Sequence, residues 1–182
     1  MSKRLAIGLC FGLVLSACSA LNSARYQAFP LLLLPPVEGP APAVYQQRLD
    51  IVSQRASHQF LVVLKIDESE IKLRGLLPTG QSAYTINYDG KQIEQQSLGA
   101  EALPAEEILT MLQFALWPEE SLRKFYEVDD GWLIETGPNF RLLSLDGQSK
   151  LKINYLENEQ VVLDNLARQY KVKIETLEYK RL

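Results

Sequence analysis

The chain has 182 residues, enough for one domain with a sizeable core and too few for a comfortable second one. It carries 19 Lys and Arg against 22 Asp and Glu, with the basic residues spread among acidic ones. That pattern argues against a nucleic-acid partner and against a polybasic stripe for anionic lipid headgroups.

At the N-terminus, Lys3 and Arg4 precede an apolar run over residues 5–15. A bilayer-crossing helix needs about 20 residues, so this run reads as a signal peptide. It ends in Leu15-Ser16-Ala17-Cys18, the order of residue types of a lipobox, where small residues precede a cysteine that must be diacylated before the leader is cut. On this reading residues 1–17 are removed and Cys18 becomes the lipid-bearing N-terminus. The second cysteine, Cys10, leaves with the leader, so the mature chain has no disulfide and no free thiol. Losing Lys3 and Arg4 takes the net charge from −3 to about −5. Ser19, and not the Asp that marks inner-membrane retention, follows the cysteine. The expected location is therefore the periplasmic face of the outer membrane, lipid-anchored. At about 0.8 kcal/mol per buried methylene, more than one acyl chain makes the attachment effectively permanent.

Residues 18–43 read as the lipidated cysteine and a proline-rich tether, and residues 44–182 as the domain. Within the tether, Leu31-Leu32-Leu33-Leu34-Pro35-Pro36 is followed by Pro40 and Pro42. Prolines stiffen a chain and withhold backbone donors. Four leucines instead suit a segment that forms an apolar strand or packs on the domain, with a lipid-facing patch as the alternative.

From Val44 the dominant signal is alternation of period two, which marks half-buried strands. Residues 58–66 set Phe60, Val62, Leu64 and Ile66 on one face, Asp67-Glu68-Ser69 connects, and residues 70–77 return with Ile71 and Leu73 opposite Lys72 and Arg74. This predicts a hairpin. After Pro78-Thr79-Gly80, residues 82–88 place Tyr84, Ile86 and Tyr88 together, and Asp89-Gly90 is a type I′ turn signal leading into Lys91-Gln92-Ile93.

The period then changes. Pro104 suits a first helical turn, Glu106 and Glu107 sit where the helix dipole favours negative charge, and Ile108, Met111, Leu112 and Ala115 form an apolar stripe. Pro118 stops this helix after Trp117, and residues 119–126 predict a second short one. Alternation resumes over residues 131–135, 140–145, 150–156, 160–166 and 170–177, with Asp146-Gly147 as a turn. The expected fold is mostly β (α+β): a strongly curved antiparallel sheet forming an incomplete β-barrel of about ten or eleven strands with a helical lid.

Residues with catalytic potential are sparse. His58 is the single histidine, which suits a structural residue at a strand start better than a metal ligand needing partners. The acidic pairs Glu106-Glu107, Glu119-Glu120 and Asp129-Asp130 fit helix-start and turn roles, because adjacent helical residues do not share a face. No nucleophile elbow, phosphate-binding glycine loop or calcium-loop spacing occurs. A non-catalytic protein without metal or cofactor is expected.

The order of Ile71-Lys72-Leu73-Arg74-Gly75-Leu76-Leu77-Pro78-Thr79-Gly80, the strand and turn over residues 84–90, the acidic helix start and the Trp117-Pro118 break before Ser121-Leu122-Arg123-Lys124-Phe125-Tyr126 resembles LolB, the outer-membrane lipoprotein receptor. Leu34-Pro35-Pro36, Tyr88-Asp89-Gly90 and Trp117-Pro118 extend the resemblance to uncharacterised LolB-related lipoproteins of gammaproteobacteria. The resemblance implies an eleven-stranded half-barrel whose apolar concave face holds acyl chains beneath a lid. Mapped onto this chain, the ligand cavity falls to Phe60, Val62, Leu64, Ile71, Leu73, Tyr84, Ile86, Tyr88, Ile108, Met111 and Leu112, and the membrane-facing loop to Leu76, Leu77 and Thr79. Thr79 stands where LolB-type proteins carry an exposed leucine. The expected function is a monomeric, outer-membrane-anchored carrier or receptor for an acyl or lipoprotein cargo, exchanging with a periplasmic carrier protein. The alternative is an accessory or structural lipoprotein that binds a protein partner without a ligand cavity.

Overall fold

The computed structural model describes residues 31–54, 57–98 and 104–182. The signal peptide and Cys18 lie outside the described residues. In chain order the strands are β1 (Ala43–Ser53), β2 (Ser57–Ile66), β3 (Ile71–Leu76), β4 (Ser82–Tyr88), β5 (Ile93–Ser97), β6 (Trp132–Gly137), β7 (Phe140–Leu145), β8 (Gln148–Tyr155), β9 (Gln160–Asn165) and β10 (Tyr170–Arg181). Two helices, α1 (Ala105–Leu116) and α2 (Glu119–Phe125), interrupt them. The ten strands form one antiparallel sheet in the order β5-β4-β3-β2-β1-β10-β9-β8-β7-β6. It is two five-strand meanders joined at the centre, where β1 pairs with β10 from Ala43↔Arg181 to Ser53↔Tyr170. The edges β5 and β6 do not pair with each other, so the sheet is an incomplete barrel of ten strands among the described residues, against the eleven that the resemblance implies.

Short-range polar chemistry sets the turns. Asp67 accepts the backbone N–H groups of Ser69 and Glu70, both at 3.0 Å, while Lys65 lies 2.7 Å from its other oxygen. Lys65 first, then the turn donors, hold the Asp67 carboxyl well below the usual carboxylate range. Asp89 does the same work at the next hairpin, accepting from Lys91 N at 2.9 Å and Gln92 N at 2.7 Å. Those bonds make Lys91 and Gln92 part of the turn, which is why β5 begins at Ile93 and runs to Ser97 instead of covering residues 91–93 as the sequence predicts. Past Ile93 this edge strand is exposed on both faces, so it carries no alternation to read.

Helix α1 lies on the concave face and is buried on nearly every side. Its last carbonyls, left without intrahelical partners, are capped from the sheet. Arg141 of β7 donates to Phe114 O at 3.0 Å and Trp117 O at 2.7 Å, and the Tyr155 hydroxyl of β8 donates to Ala115 O at 2.7 Å. A cation there also complements the negative end of the helix dipole.

The face of α1 turned from the sheet is covered by residues 31–39, which belong to the same compact unit, Leu31–Leu182. Leu31 and Leu34 are buried, each side chain contributing about 1.5–3 kcal/mol. The Gln113 side-chain amide pairs with the backbone of Leu34, accepting from its N–H at 2.8 Å and donating to its carbonyl at 2.7 Å. The Tyr126 hydroxyl treats Leu32 likewise, at 3.1 and 3.2 Å. A 3-10 turn over Pro36–Glu38 follows, with Glu38 3.1 Å from Lys124 of α2. Leu31 and Leu34 therefore pack on the domain while Leu32 stays exposed, and the compact unit that holds the sheet and helices starts at Leu31.

Candidate functional site

The concave floor is defined by register. Ile66, Ile71 and Tyr88 form one row across β2, β3 and β4, Leu64, Leu73 and Ile86 the next, and Val62, Gly75 and Tyr84 the third. Phe60 lies one step further along β2, past the last β3 residue, and faces Leu49 of β1. Exposure rises along this series. The first two rows and Val62 are buried, whereas Phe60, Tyr84, Leu49 and Ile51, with Ile108 of α1, are half-buried. The rows are closed at the Ile66 end and open at the Phe60 end, which makes an apolar mouth. Two local features shape it. A register shift after Gly75 leaves Ala83 as the extra residue and keeps Tyr84 on the concave face. Gly75 supplies the space, because a Cβ there would stand 3.3 Å from Tyr84 Cβ. Burial pushes the Tyr84 phenol up to about 12.

All eleven residues that the sequence assigns to a ligand cavity lie on the strands or helix that enclose the concave side, and eight are buried. The deepest of them border no open space. A side chain lining a water-sized void would keep accessible surface on that side, yet Leu64, Ile66, Ile71, Ile86, Leu109 and Phe114 keep 2% or less. Below the mouth the interior is filled by side chains packed against α1.

The predicted membrane-facing loop sits at the mouth end, since Leu76 pairs with Leu61, the neighbour of Phe60. Leu76 and Leu77 are half-buried, while Pro78, Thr79 and Gly80 are exposed. The loop is tight, closed by Gly80 N to Leu77 O at 2.8 Å and Leu77 N to Gln81 O at 2.9 Å, with Gly80 at φ +82°. Its tip is therefore Thr79, which is polar. His58 sits at the start of β2, as the sequence predicts, and is exposed, its ring 6.3 Å from Phe60, so it marks the rim.

Sequence reasoning missed two polar features. Glu107, read as a helix-start acid, is only 5% exposed. Its carboxylate accepts from Tyr170 Oη at 2.8 Å and Asn165 Nδ2 at 3.2 Å, and pairs with Arg168 Nη1 at 2.7 Å. Burial, then the Glu107 charge, raises the Tyr170 phenol far above its ordinary value. No local signal joins residues this far apart in sequence. The second is Gln47, buried in the middle of the floor, whose amide donates to Thr176 Oγ1 at 3.3 Å while its carbonyl oxygen has no protein partner.

A surface recess of about 240 Å³ between β1, β9 and β10 is lined by Val52, Asp164, Gln169, Tyr170 and Lys171. Drug-sized ligand sites run to about 300–1,000 Å³ and are mostly apolar. At about 240 Å³ the recess, which holds the Lys171–Asp164 ion pair at 3.1 Å, falls below that size range. Among the described residues no cluster of three His, Cys, Asp or Glu is placed to hold a metal, and no helix is long and apolar enough to cross a membrane.

No curated protein matches the sequence. The profile of one family, described as "Protein of unknown function (DUF3261)", matches residues 44–178. That span starts one residue into β1 and ends in β10, so it takes in both helices and leaves out the segment that covers α1. With the match extending over most of the chain, the protein belongs to the DUF3261 family.

Proposed function

We propose that the chain is a non-catalytic lipoprotein, lipidated at Cys18 and held at the periplasmic face of the outer membrane, that binds the acyl part of a lipid or lipoprotein on the concave face of its half-barrel. The observation that carries this reading is the graded apolar mouth: Phe60, Tyr84, Leu49 and Ile108 half-buried above a fully buried apolar floor. An incomplete barrel covered by helices is also the architecture that the LolB resemblance implies. Binding requires part of α1 to yield, because the floor is filled. The free acceptor of Gln47 offers a hydrogen bond to a ligand head group that bears an N–H or O–H. Thr79 at the loop tip supplies little apolar surface for insertion into a bilayer, which supports a carrier over a delivery factor.

The full chain carrying Cys18→Ser, purified without detergent, should co-purify with an acyl ligand visible by native mass spectrometry, or bind an environment-sensitive acyl probe. Phe60→Ser should weaken the probe by about tenfold, the worth of one partly buried aromatic side chain, while Val63→Ser on the convex face should not. The same Cys18→Ser chain should fail to label with radioactive palmitate; continued labelling would remove the anchor from the proposal.

The filled interior favours a second reading, an accessory lipoprotein that holds a protein partner. A wild-type chain that neither retains nor binds any acyl compound would establish it over the first.

A further inference from the structure

The segment over residues 31–39 makes a set of contacts that a passive tether does not need. Gln113 and Tyr126 grip the backbone of Leu34 and Leu32, two residues apart, each through a pair of hydrogen bonds. Because the bonds reach backbone, they hold an extended chain regardless of its side chains. The segment touches the helical layer at α1 through Gln113, at the α1–α2 junction where Gly39 meets the Trp117 ring, and at α2 through the Glu38–Lys124 pair. It then reaches the first meander, where Pro35 and Pro36 lie against Gly90 of the β4–β5 turn. Helix α1 is otherwise joined to that meander by one polar bond in the described residues, Ala105 N to Gln95 Oε1 at 2.9 Å.

From this geometry we propose that residues 31–39 are a releasable latch that holds α1 closed over the concave face, so that detaching the segment is what admits a ligand. The proposal rests on the acyl-binding reading for its purpose but not for its mechanics. The latch is the described part of the domain nearest in sequence to Cys18, 13 residues away, a reach of at most about 45 Å. Any event that draws the intervening chain toward the anchor acts on Leu32 and Leu34 before it acts on the sheet. The leucines themselves suit release, since apolar side chains leaving α1 find an equivalent environment in lipid.

The test uses the full chain carrying Cys18→Ser, followed by hydrogen exchange. Gln113→Leu with Tyr126→Phe removes the four hydrogen bonds to the backbone of Leu32 and Leu34. Tyr126→Phe alone keeps the ring packed against Phe114 and Trp132 and serves if the double variant does not fold. Amides of residues 31–39 and of α1 should exchange together, about tenfold faster or more, while β7–β10 stay protected. The acyl probe should bind more tightly by about the same factor, because a larger fraction of molecules is competent. Arg123→Ala, which removes an exposed ion pair of α2, should change neither. Fast exchange of residues 31–39 with unchanged protection of α1 overturns the latch. So does an opened α1 with unaltered probe affinity. If α1 opens but no acyl compound binds to any form, the mechanics of the latch are supported and the acyl-binding reading fails.

Discussion

Helix α1 is held in two different ways on its two flanks. Toward β7–β10 the attachments are directional and polar: Glu107 to Arg168, Tyr170 and Asn165 at one end, Arg141 and Tyr155 on the terminal carbonyls at the other. Toward β2–β4 the sheet offers Val62, Leu64, Ile71, Leu73, Ile86 and Tyr88, and the association is one of apolar burial. Directional bonds fix where a helix sits and leave unsatisfied groups if broken. Apolar burial is indifferent to what supplies the other surface. The second meander thus acts as the mount of α1 and the first as a face from which it can be displaced, by another apolar body in particular.

The comparison breaks most easily at the apolar flank. Ile86 is fully buried there, and Ile86→Ala should cost about 2–4 kcal/mol through lost burial and a residual cavity. If this flank exchanges partners, saturating acyl ligand should recover much of the loss in a urea titration. A deficit that ligand leaves untouched would mean that the floor is ordinary core.

The polar flank gives the next largest effect. Glu107→Ala leaves Arg168 without its carboxylate and strips the acceptor from Tyr170 and Asn165. Removing one member of a buried pair typically costs about 3–5 kcal/mol, and because the Arg168 side chain keeps 22% exposure about 2–3 kcal/mol is expected. Acyl ligand should not restore it. Rescue of Glu107→Ala as complete as that of Ile86→Ala would erase the distinction between mount and displaceable face.

These two flanks were not equally legible in the sequence. Alternation over residues 58–88 placed the apolar rows on the correct face, because period-two burial is local and each strand carries its own signal. The stripe of Ile108, Met111, Leu112 and Ala115 was legible for the same reason. What the pattern left out is that Leu109 and Gln113, on the other side of α1, are also buried, since the leucines of residues 31–34 predict docking on the domain but carry no signal for which face they cover. Glu107, Arg168 and Tyr170 were opaque individually, each an ordinary charged or aromatic residue until β9–β10 and the first turn of α1 meet. Alternation also cannot separate a lined cavity from a filled core. Ile86 has no exposed surface, so an acidic substitution there would be an unpaired buried charge, and Phe60 at the mouth is the better reporter of ligand.

The smallest effect sharpens where a ligand lies. The Tyr84 phenol ionises near pH 12 in the folded chain against about pH 10 unfolded. Below about pH 10 it is neutral in both states and its contribution to stability is fully present. As the pH rises from about 10 to 12 the unfolded chain releases its proton first, so stability falls. Tyr126 and Tyr170, raised further by burial, continue the decline at higher pH. Because Tyr84 is half-buried, its share is below about 1 kcal/mol after solvent screening. Tyr84→Phe should flatten the slope of urea stability between about pH 10 and about pH 12 by that amount. An acyl chain seated in the mouth would cover the Tyr84 ring, remove the water that solvates its phenolate, and push its ionisation higher still. Ultraviolet titration of the wild-type chain minus that of Tyr84→Phe isolates this one phenol. A difference curve that moves up in pH with ligand puts the acyl chain beside Tyr84 on the apolar flank; one that does not move puts it elsewhere, and the mouth then loses its role.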